Sequence, residues 1–379
     1  MSAKPSEPEE AARGGSGPRV LLGVVLTLAL AALVHGSTWL WLGGEVEDGF
    51  RSWAQSRRES GWRIRHEPPV RGGWPFAVTV TVPGLQVEGG GASVQGGVEW
   101  AVPELVLRLS PPLFDRLVAE PRGAQRLRIG QTDIPFAADR IEVVLPFEPG
   151  AALRTAELSV DRLRVGTPDG PAELRGMTLR IEARSSATEG EPALVLAFAA
   201  HGIDLPSETA RHPSVAALGR HVATLALNGT LSGPITFDPD FSLRAEAWRE
   251  GGGTFELGAL SLRWGPVQGS ARMTLTLDDA LQPMGAGQVQ IAGAPAALDA
   301  LAVAGAINAR TAQAARAAFG LLARRPDGGG PPQAELPLTL EDRRLTVGPM
   351  QLLRLAPLVW PAPAEDTTEA IDPSLPASR

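Results

Sequence analysis

The side chains that most often carry out chemistry in proteins are few and scattered in this sequence. Its five histidines contain no HxxxH or HxH pair with an acidic partner, which is the spacing that a metal site on a helix needs. The chain has no cysteine, which excludes thiolate catalysis and Cys-ligated zinc or iron–sulfur sites. We therefore predict neither a metal site nor a cofactor. The histidines are His35, His66, His201, His212 and His221.

Motifs of nucleophilic catalysis and of nucleotide binding do not occur in the sequence. There is no G-x-S-x-G nucleophile elbow and no G-x-x-x-x-G-K-[ST] or G-x-G-x-x-G phosphate loop. The adjacent Asp278 and Asp279 would face opposite sides of a strand, so they cannot form a carboxylate pair. We predict that the protein is not an enzyme, and an enzyme is the least favoured of the alternatives considered below.

The overall composition indicates a folded chain without a nucleic-acid partner. Of the 379 residues, 44% are hydrophobic, which fits a folded protein rather than a disordered one. The formal net charge is −7, whereas binding to nucleic acid needs a concentrated basic surface. We therefore expect no nucleic-acid binding.

One uncharged stretch must position everything that follows it. Between Val20 and Trp41 there is no Asp, Glu, Lys or Arg. As a helix this stretch would be roughly 33 Å long, against about 30 Å for a hydrocarbon core. We predict a transmembrane signal anchor at 19–42, with Arg19, Trp39 and Trp41 at the membrane interfaces. A cleaved signal peptide and a buried core helix fit less well, because the stretch is long, lacks a polar face and ends in bulky Trp-Leu-Trp.

The charges on either side of the anchor predict its orientation. By the positive-inside rule, arginines before the anchor and carboxylates after it place the N-terminus in the cytoplasm and the long C-terminal part outside. Residues 1–18, rich in Ser, Glu, Pro and Gly, are predicted to form a disordered cytoplasmic tail. The flanking charges are Arg13 and Arg19 on one side and Glu45, Glu47 and Asp48 on the other.

A polar connecting helix is predicted after the anchor, at 43–66. Phe50 and Trp53 recur at helical spacing, and Gly61 would end the helix. We favour a connector that packs on the folded part. The alternative is a helix lying on the bilayer surface with its arginines facing anionic headgroups. Those arginines are Arg51, Arg57, Arg58, Arg63 and Arg65.

After this helix the hydrophobic period changes from 3.6 residues to 2. Val78, Val80 and Val82 alternate with Thr79 and Thr81, which is the pattern of a half-buried antiparallel strand. We predict an α+β protein that is mainly β: one transmembrane helix, then antiparallel, curved β-sheets with a few packed helices. Strands are predicted at 74–83, 104–110, 125–130, 139–146, 154–165, 172–184, 193–201, 222–231, 235–248, 253–264, 268–277, 287–291, 336–340 and 344–347. Helices are predicted at 207–220, 296–303 and 308–325.

These elements make up a β-rich region at 67–360, followed by a disordered, Pro-rich tail at 361–379. A run of strands followed by a helix occurs twice. The sequence leaves open whether the region is one unit or two lobes, at about 67–205 and 222–360 with a helix between them.

The apolar strand faces must be buried against something. An ordinary dry core is the commoner solution, and a groove that holds lipid is the other. In the second case Val78, Val80 and Val82 would line the lipid groove, and these three valines are our candidate binding residues.

Several segments form a series of motifs in a fixed order along the chain. The G-W-P-F motif at 73–76 is followed by a Val-rich strand, and W-A-V-P at 100–103 opens a second strand. These are followed by the segment D-R-I-E-V-V-L-P-F at 139–147 and by a strand–helix–strand ending at 260–360. In this order the motifs resemble domain-of-unknown-function family 2125, an uncharacterised family of Gram-negative proteins. The C-terminal part is also similar, more loosely, to the endings of AsmA-like envelope proteins.

The resemblance implies a single-pass inner-membrane protein with a cytoplasmic N-terminus and a large periplasmic part. The AsmA-like similarity implies curved sheets with an apolar groove and a role in handling phospholipid or another envelope lipid. The alternative hypothesis is a structural or interaction module that binds protein partners through exposed sheet edges. The family name implies no activity and no catalytic residues, so none is assigned.

Overall fold

The computed structural model of the chain describes residues 17–90, 96–111, 113–147, 155–184, 186–235, 241–326, 329–348 and 350–360. The predicted tail at 361–379, and the tail at 1–18 up to residue 16, lie outside the described residues.

The described part begins with a 43-residue helix, α1 (Gly17–Glu59), which joins the predicted anchor and the predicted connecting helix without a break. From Leu21 onward it is long and apolar enough to cross a membrane. It ends before Gly61, whose φ of +84° favours glycine. The helix stops short of the predicted residue 66 because Arg63–Arg65 pairs with the sheet as strand β1.

All 18 strands of the described residues belong to one sheet, and every pairing is antiparallel. The predicted fold class, mainly β with helices, is confirmed. The strands are β1 (Arg63–Arg65), β2 (Val70–Gly72), β3 (Val78–Gly89), β4 (Val98–Ser110), β5 (Leu113–Arg122), β6 (Gln125–Ile129), β7 (Thr132–Ala137), β8 (Arg140–Pro146), β9 (Thr155–Thr167), β10 (Gly170–Ala183), β11 (Pro192–Asp204), β12 (His221–Ser232), β13 (Thr254–Trp264), β14 (Val267–Leu277), β15 (Pro283–Ala292), β16 (Gln333–Glu341), β17 (Arg344–Val347) and β18 (Met350–Arg354).

The first strands of the sheet include pairings between strands that are not consecutive in the chain, whereas the later strands pair in chain order. β3 lies between β4 on one side and the short β1 and β2 on the other. Beyond β4, β5 pairs with β8 and β6 pairs with β7, and both β7 and β8 pair with β9. From β9 to β18 each strand pairs with the next along the chain, and we call β10–β18 the meander. The two predicted lobes share this sheet, because β11 pairs directly with β12.

Helix α1 packs on the first strands through one stripe of its surface. Its buried side chains Leu42, Val46, Phe50 and Ala54 recur every four residues, so they lie on one face of the helix. Facing them are nine buried residues of β1, β3 and β4: Ile64, Val78, Val80, Val82, Leu85, Val102, Leu105, Leu107 and Leu109.

A glycine allows two residues of β3 that are three positions apart to point to the same buried face. Val82 and Leu85 both belong to the core, although residues three apart in a regular strand point to opposite faces. Gly84 lies between them with φ of +60°. This left-handed conformation produces the local bend that returns Leu85 to the face covered by α1.

Short helices interrupt the sheet in its second half. The helix predicted at 207–220 is divided, because Pro213 has no N–H to continue the first turn. Asn308 caps the last helix by accepting a hydrogen bond from the N–H of Thr311 at 2.8 Å. These elements are a 3₁₀ turn (Ser207–Arg211), α2 (Pro213–Leu218), α3 (Phe241–Glu250), α4 (Ala294–Val303) and α5 (Ala309–Leu322).

The strand predicted at 235–248 is wrong, because α3 occupies Phe241–Glu250. Apolar residues at 241, 243, 245 and 247 alternate with polar ones, which is the pattern typical of a strand. The segment is nevertheless rich in Ala, Arg and Glu, which favour helix. As a helix it buries Ala245 and lets the indole N–H of Trp248 donate to the carbonyl of Ser232 at 2.9 Å.

Candidate functional site

A continuous row of apolar side chains crosses the sheet from the core under α1 to β16. Paired residues of antiparallel strands lie side by side on one face, so the registers identify neighbouring side chains. In this row, which we call the apolar row, each residue pairs directly with the next. It consists of Val80, Leu107, Ala119, Val143, Leu158, Leu179, Phe198, Leu227, Leu260, Ala271, Val289 and Leu336.

Apolar side chains also flank the apolar row on the same face. One flanking row contains Ile141, Val160, Met177, Ala200, Leu225, Leu262, Gly269, Ile291 and Ala334. The opposite face carries polar side chains at the intervening positions, such as Glu142, Glu157, Arg180, Arg272 and Gln288. The sheet is therefore amphipathic across almost its whole width.

Next to α1 this face opens into a cavity of about 930 Å³, which we call the α1 cavity. The apolar row contributes Leu107, Ala119, Val143 and Leu158 to its sheet side. The rest of the sheet side is Leu85, Trp100, Leu105, Leu117, Pro121, Phe136, Ile141, Leu145, Pro146 and Phe147. The helix side is Glu45, Val46, Asp48, Gly49, Phe50, Ser52 and Trp53.

The polar groups of the α1 cavity lie almost entirely on its helix side. There, Glu45, Asp48 and Ser52 belong to the first turns after the apolar stretch of α1. On the sheet side, the indole N–H of Trp100 already donates to Gln125 Oε1 at 3.0 Å. An apolar cavity with a few polar groups along one wall is the usual form of a site for a largely apolar ligand.

Strand alternation explains why β8 lines the cavity. Ile141, Val143 and Leu145 point toward α1, while Glu142 and Val144 point to the other face. This strand was predicted at 139–146, and its alternation was the signal that could have identified these cavity residues. β5 was missed, because Asp115, Arg116, Glu120 and Pro121 obscure its apolar positions.

A buried carboxylate fixes α1 over the edge of the sheet. Glu47 is 6% exposed and accepts a hydrogen bond from Arg71 Nε of β2 at 2.6 Å. Arg51, one turn further along α1, pairs with its other oxygen. The Arg71 side chain passes close to Gly43, where a Cβ would lie 3.5 Å from its Cδ. These contacts hold the helix side of the α1 cavity in place.

The three predicted groove valines lie beneath α1 rather than in the open cavity. Val78, Val80 and Val82 are 3%, 0% and 0% exposed, and their neighbours are the buried side chains of α1. Val80 starts the apolar row, so it is continuous with the cavity through Leu107. A lipid-contacting role for the three valines stays a prediction.

The predicted membrane-interface residues lie on α1. Trp39 donates its indole N–H to the carbonyl of Ala77 at 2.8 Å, and Trp41 is 58% exposed. Arg19 lies in α1, but its side chain is outside the described part of the chain. Their position at a bilayer surface stays a prediction.

The ionisable groups with shifted pKa values lie outside the cavity. A hydrogen bond from Arg63 lowers the pKa of Glu88, and one from Arg126 lowers the pKa of Asp133. The backbone N–H of Thr188 lowers the pKa of Glu191. Among the described residues no three His, Asp or Glu side chains are grouped so that they could hold a metal ion. The described lining of the α1 cavity is mainly apolar.

Comparison with known proteins yields one match. A family model described as "Uncharacterized protein conserved in bacteria (DUF2125)" matches residues 39–356. No curated protein and no solved structure matches the chain.

Proposed function

This chain belongs to the DUF2125 family of uncharacterised bacterial proteins, and we propose that it is a membrane-anchored protein that binds lipid acyl chains against the apolar face of its sheet. The observation that carries the proposal is the apolar row, which runs without a polar interruption from beneath α1, through the α1 cavity, to β16.

The proposed setting is the inner membrane, with α1 spanning the bilayer and the sheet in the periplasm. Leu22, Leu26 and Leu30 of α1 are about 60% exposed, as expected of side chains that face lipid. The arginines before this segment and the carboxylates after it support a cytoplasmic N-terminus.

The position of the α1 cavity favours a ligand that comes from the bilayer. Its helix side begins at Glu45, the first charged residue after the apolar stretch. Glu45 follows Trp41 by four residues, which is about 6 Å along a helix. Its volume lies within the range of about 300–1,000 Å³ that is usual for small-molecule sites. A lipid leaving the bilayer beside α1 would therefore meet the cavity first.

The apolar row beyond the cavity suits reversible uptake. An acyl chain that moves from the bilayer to the sheet exchanges one apolar environment for another, so neither state is strongly preferred. In water, by contrast, each exposed methylene costs about 0.8 kcal/mol. Half-buried apolar residues such as Leu179, Phe198 and Leu260 would shield such a chain from water while leaving it able to move.

Photocrosslinking tests the proposal in the full chain. Benzoylphenylalanine placed at Phe136, which lines the α1 cavity, should give lipid adducts by mass spectrometry after irradiation of cell membranes. The matched variants are Val143→Asp and Val144→Asp, neighbours of the same type on opposite faces of β8. We expect Val143→Asp to reduce the adduct at least about fivefold, because a carboxylate in an apolar site is strongly disfavoured.

Val144→Asp provides the control, because its side chain faces away from the cavity. An adduct that is equally abundant in both variants would show that the label reacts with bulk lipid and would contradict the proposal. A folded protein that gives no lipid adduct at Phe136 would contradict it as well.

The alternative proposal is an interaction module. Among the described residues, β18 pairs with β17 on one side and with no strand on the other, and such an edge can accept a partner strand. Crosslinkers placed along β18 should then trap a defined protein neighbour in membranes, and the lipid adducts at Phe136 should be absent.

A further inference from the structure

The G-W-P-F motif forms an apolar loop that is attached to α1 within its uncharged stretch. The loop connects β2 to β3, and the N–H of Ala77 donates to the carbonyl of Gly73 at 2.9 Å. Gly73 has φ of +90°, and a Cβ there would lie 2.7 Å from the carbonyl oxygen of Ala77. The tight turn therefore requires glycine and presents Trp74 and Phe76 at its tip.

Two hydrogen bonds and two ring contacts attach this loop to α1. His35 Nε2 bonds to the carbonyl of Pro75 at 2.8 Å, and the Trp39 indole N–H donates to the carbonyl of Ala77 at 2.8 Å. The Trp74 ring lies 4.9 Å from His35 and 5.7 Å from Trp39, edge-on in the second case. The loop thus follows the surface of the helix back toward its N-terminus.

The positions of these contacts along α1 show that the loop lies on the N-terminal side of the buried core. The first buried residue of the core is Leu42, and His35 precedes it by seven residues, which is about 10 Å along a helix. On α1, Leu33, Val34 and Leu40 remain 54–65% exposed at this level. The loop therefore lies beside the part of the helix that the proposed function places in the bilayer.

The side chains at the loop tip are aromatic, uncharged and uncovered. Phe76 is 83% exposed and Trp74 is 53% exposed. Phe114, after the β4–β5 turn, is 39% exposed and lines a small cavity with Phe76, His35 and Trp39. A Trp and two Phe side chains at this level have the composition of a membrane-interface anchor.

We propose that the loop at 73–77, together with Phe114, inserts into the leaflet from which α1 emerges and forms a second attachment to the membrane. The partner is the boundary between headgroups and acyl chains, where amphipathic side chains are buried about 5–10 Å deep. A helix alone can rotate about its axis, whereas a second attachment fixes the orientation of the sheet. The helix side of the α1 cavity would then be held next to the bilayer surface. This inference rests on the proposed membrane span of α1.

The absence of native cysteine makes a direct depth measurement possible. The full chain is reconstituted in vesicles of phosphatidylethanolamine and phosphatidylglycerol, with one nitroxide label on Phe76→Cys. Electron paramagnetic resonance then compares collisions with oxygen, which concentrates in lipid, and with a water-soluble nickel complex. Leu30→Cys reports the span of α1, and Val303→Cys, 91% exposed at the end of α4, reports water.

We expect the label at 76 to resemble the label at 30, with oxygen collisions exceeding nickel collisions at least about threefold, and the label at 303 to show the reverse. Because Phe76 is so exposed, the substitution should leave the fold intact. A label at 76 that behaves like the label at 303, while the label at 30 stays in lipid, overturns the loop insertion alone. Protection at 76 from both reagents would indicate a protein contact and overturns it too. Nickel access at residue 30 would instead contradict the membrane span.

Discussion

The two parts of the sheet carry the same apolar pattern, but they bury it to different extents. Under α1, Val80 is fully buried and Leu107 is 6% exposed. Further along the same row, Leu179, Leu260 and Val289 are only half-buried. The two parts have the same pattern of apolar side chains and differ in the helices that cover them. A long helix lies on the first strands, whereas short helices contact the meander. Alternation thus determines which face of a sheet is apolar, and the neighbouring elements determine how much of that face is buried, since the described part of the meander has only a small buried cluster around Met273 and Leu338.

The largest expected difference comes from placing a charge at the start of the apolar row, under α1, and near its other end, in the meander. Val80→Asp buries a carboxylate without a partner, so it should destabilise the protein by about 4 kcal/mol or more and abolish cooperative folding. Val289→Asp should cost about 1–2 kcal/mol, because a half-buried carboxylate keeps contact with water. Thermal unfolding of the full chain in detergent, followed by circular dichroism, measures both.

Equal destabilisation by the two aspartates would show that the meander is as tightly covered as the core under α1. A folded Val80→Asp variant that has lost its bound lipid would instead support the predicted lipid groove at the three valines.

A matched pair of leucines tests the same comparison by truncation. Leu107→Ala removes a buried side chain next to Ala119 and should cost about 3 kcal/mol. Leu260→Ala removes a half-buried one from the same row and should cost about 1 kcal/mol, because less area leaves water there. Chemical denaturation curves of the two variants give the difference. A larger loss for Leu260→Ala would contradict the contrast between the two parts.

The buried carboxylate of α1 tests whether the helix itself is held by a specific contact. Glu47→Ala removes the carboxylate that pairs with Arg71, while Arg51 keeps its ion pair with Asp48. The substitution should cost about 2 kcal/mol, less than the loss of a fully buried pair because Arg71 is partly exposed. Asp48→Ala, at the neighbouring exposed position, should change stability by less than about 0.5 kcal/mol. The measurement is proteolysis at the end of α1 in membranes. Similar cleavage of both variants would show that apolar packing alone holds the helix.

Local patterns in the sequence were sufficient to predict most of the helices and strands. The alternation around Val80 predicted β3, the uncharged stretch predicted the first half of α1, and the chain at 336–347 predicted the β16–β17 hairpin. Asp342 and Arg343 form its turn with φ of +49° and +63°. At 241–250 apolar residues alternate as in a strand, but the residue types favour helix. The segment forms helix α3, so helix propensity decided its structure.

The candidate site was less predictable, because it depends on registers and on a long-range contact. Nothing local to Val143 shows that it lies beside Ala119 and Leu158, since the pairing of β5, β8 and β9 brings them together. Nor does the stripe of Leu42, Val46, Phe50 and Ala54 show which strands it covers. The sequence could therefore predict an apolar sheet face, but not the place where α1 leaves it open.

The smallest expected effect concerns acid stability, where the two parts of the sheet should again differ. Asp133, in the β6–β7 hairpin, has a lowered pKa because Arg126 donates to it from two nitrogens at 2.6 Å. A carboxylate with a lowered folded-state pKa stabilises the protein fully above its unfolded pKa and loses this contribution as the pH falls through the folded value. Asp133→Asn should therefore slightly reduce the fall in Tm between pH 5 and pH 3.

Glu191, in the turn before β11, has a pKa lowered by the Thr188 N–H. Glu191→Gln should have an even smaller effect, because its bond is confined to one turn, whereas Arg126 and Asp133 connect two strands. Unfolding profiles of both variants over this pH range measure the difference, and a larger effect of Glu191→Gln would contradict the expectation that a bond joining two strands contributes more to stability than a bond within one turn.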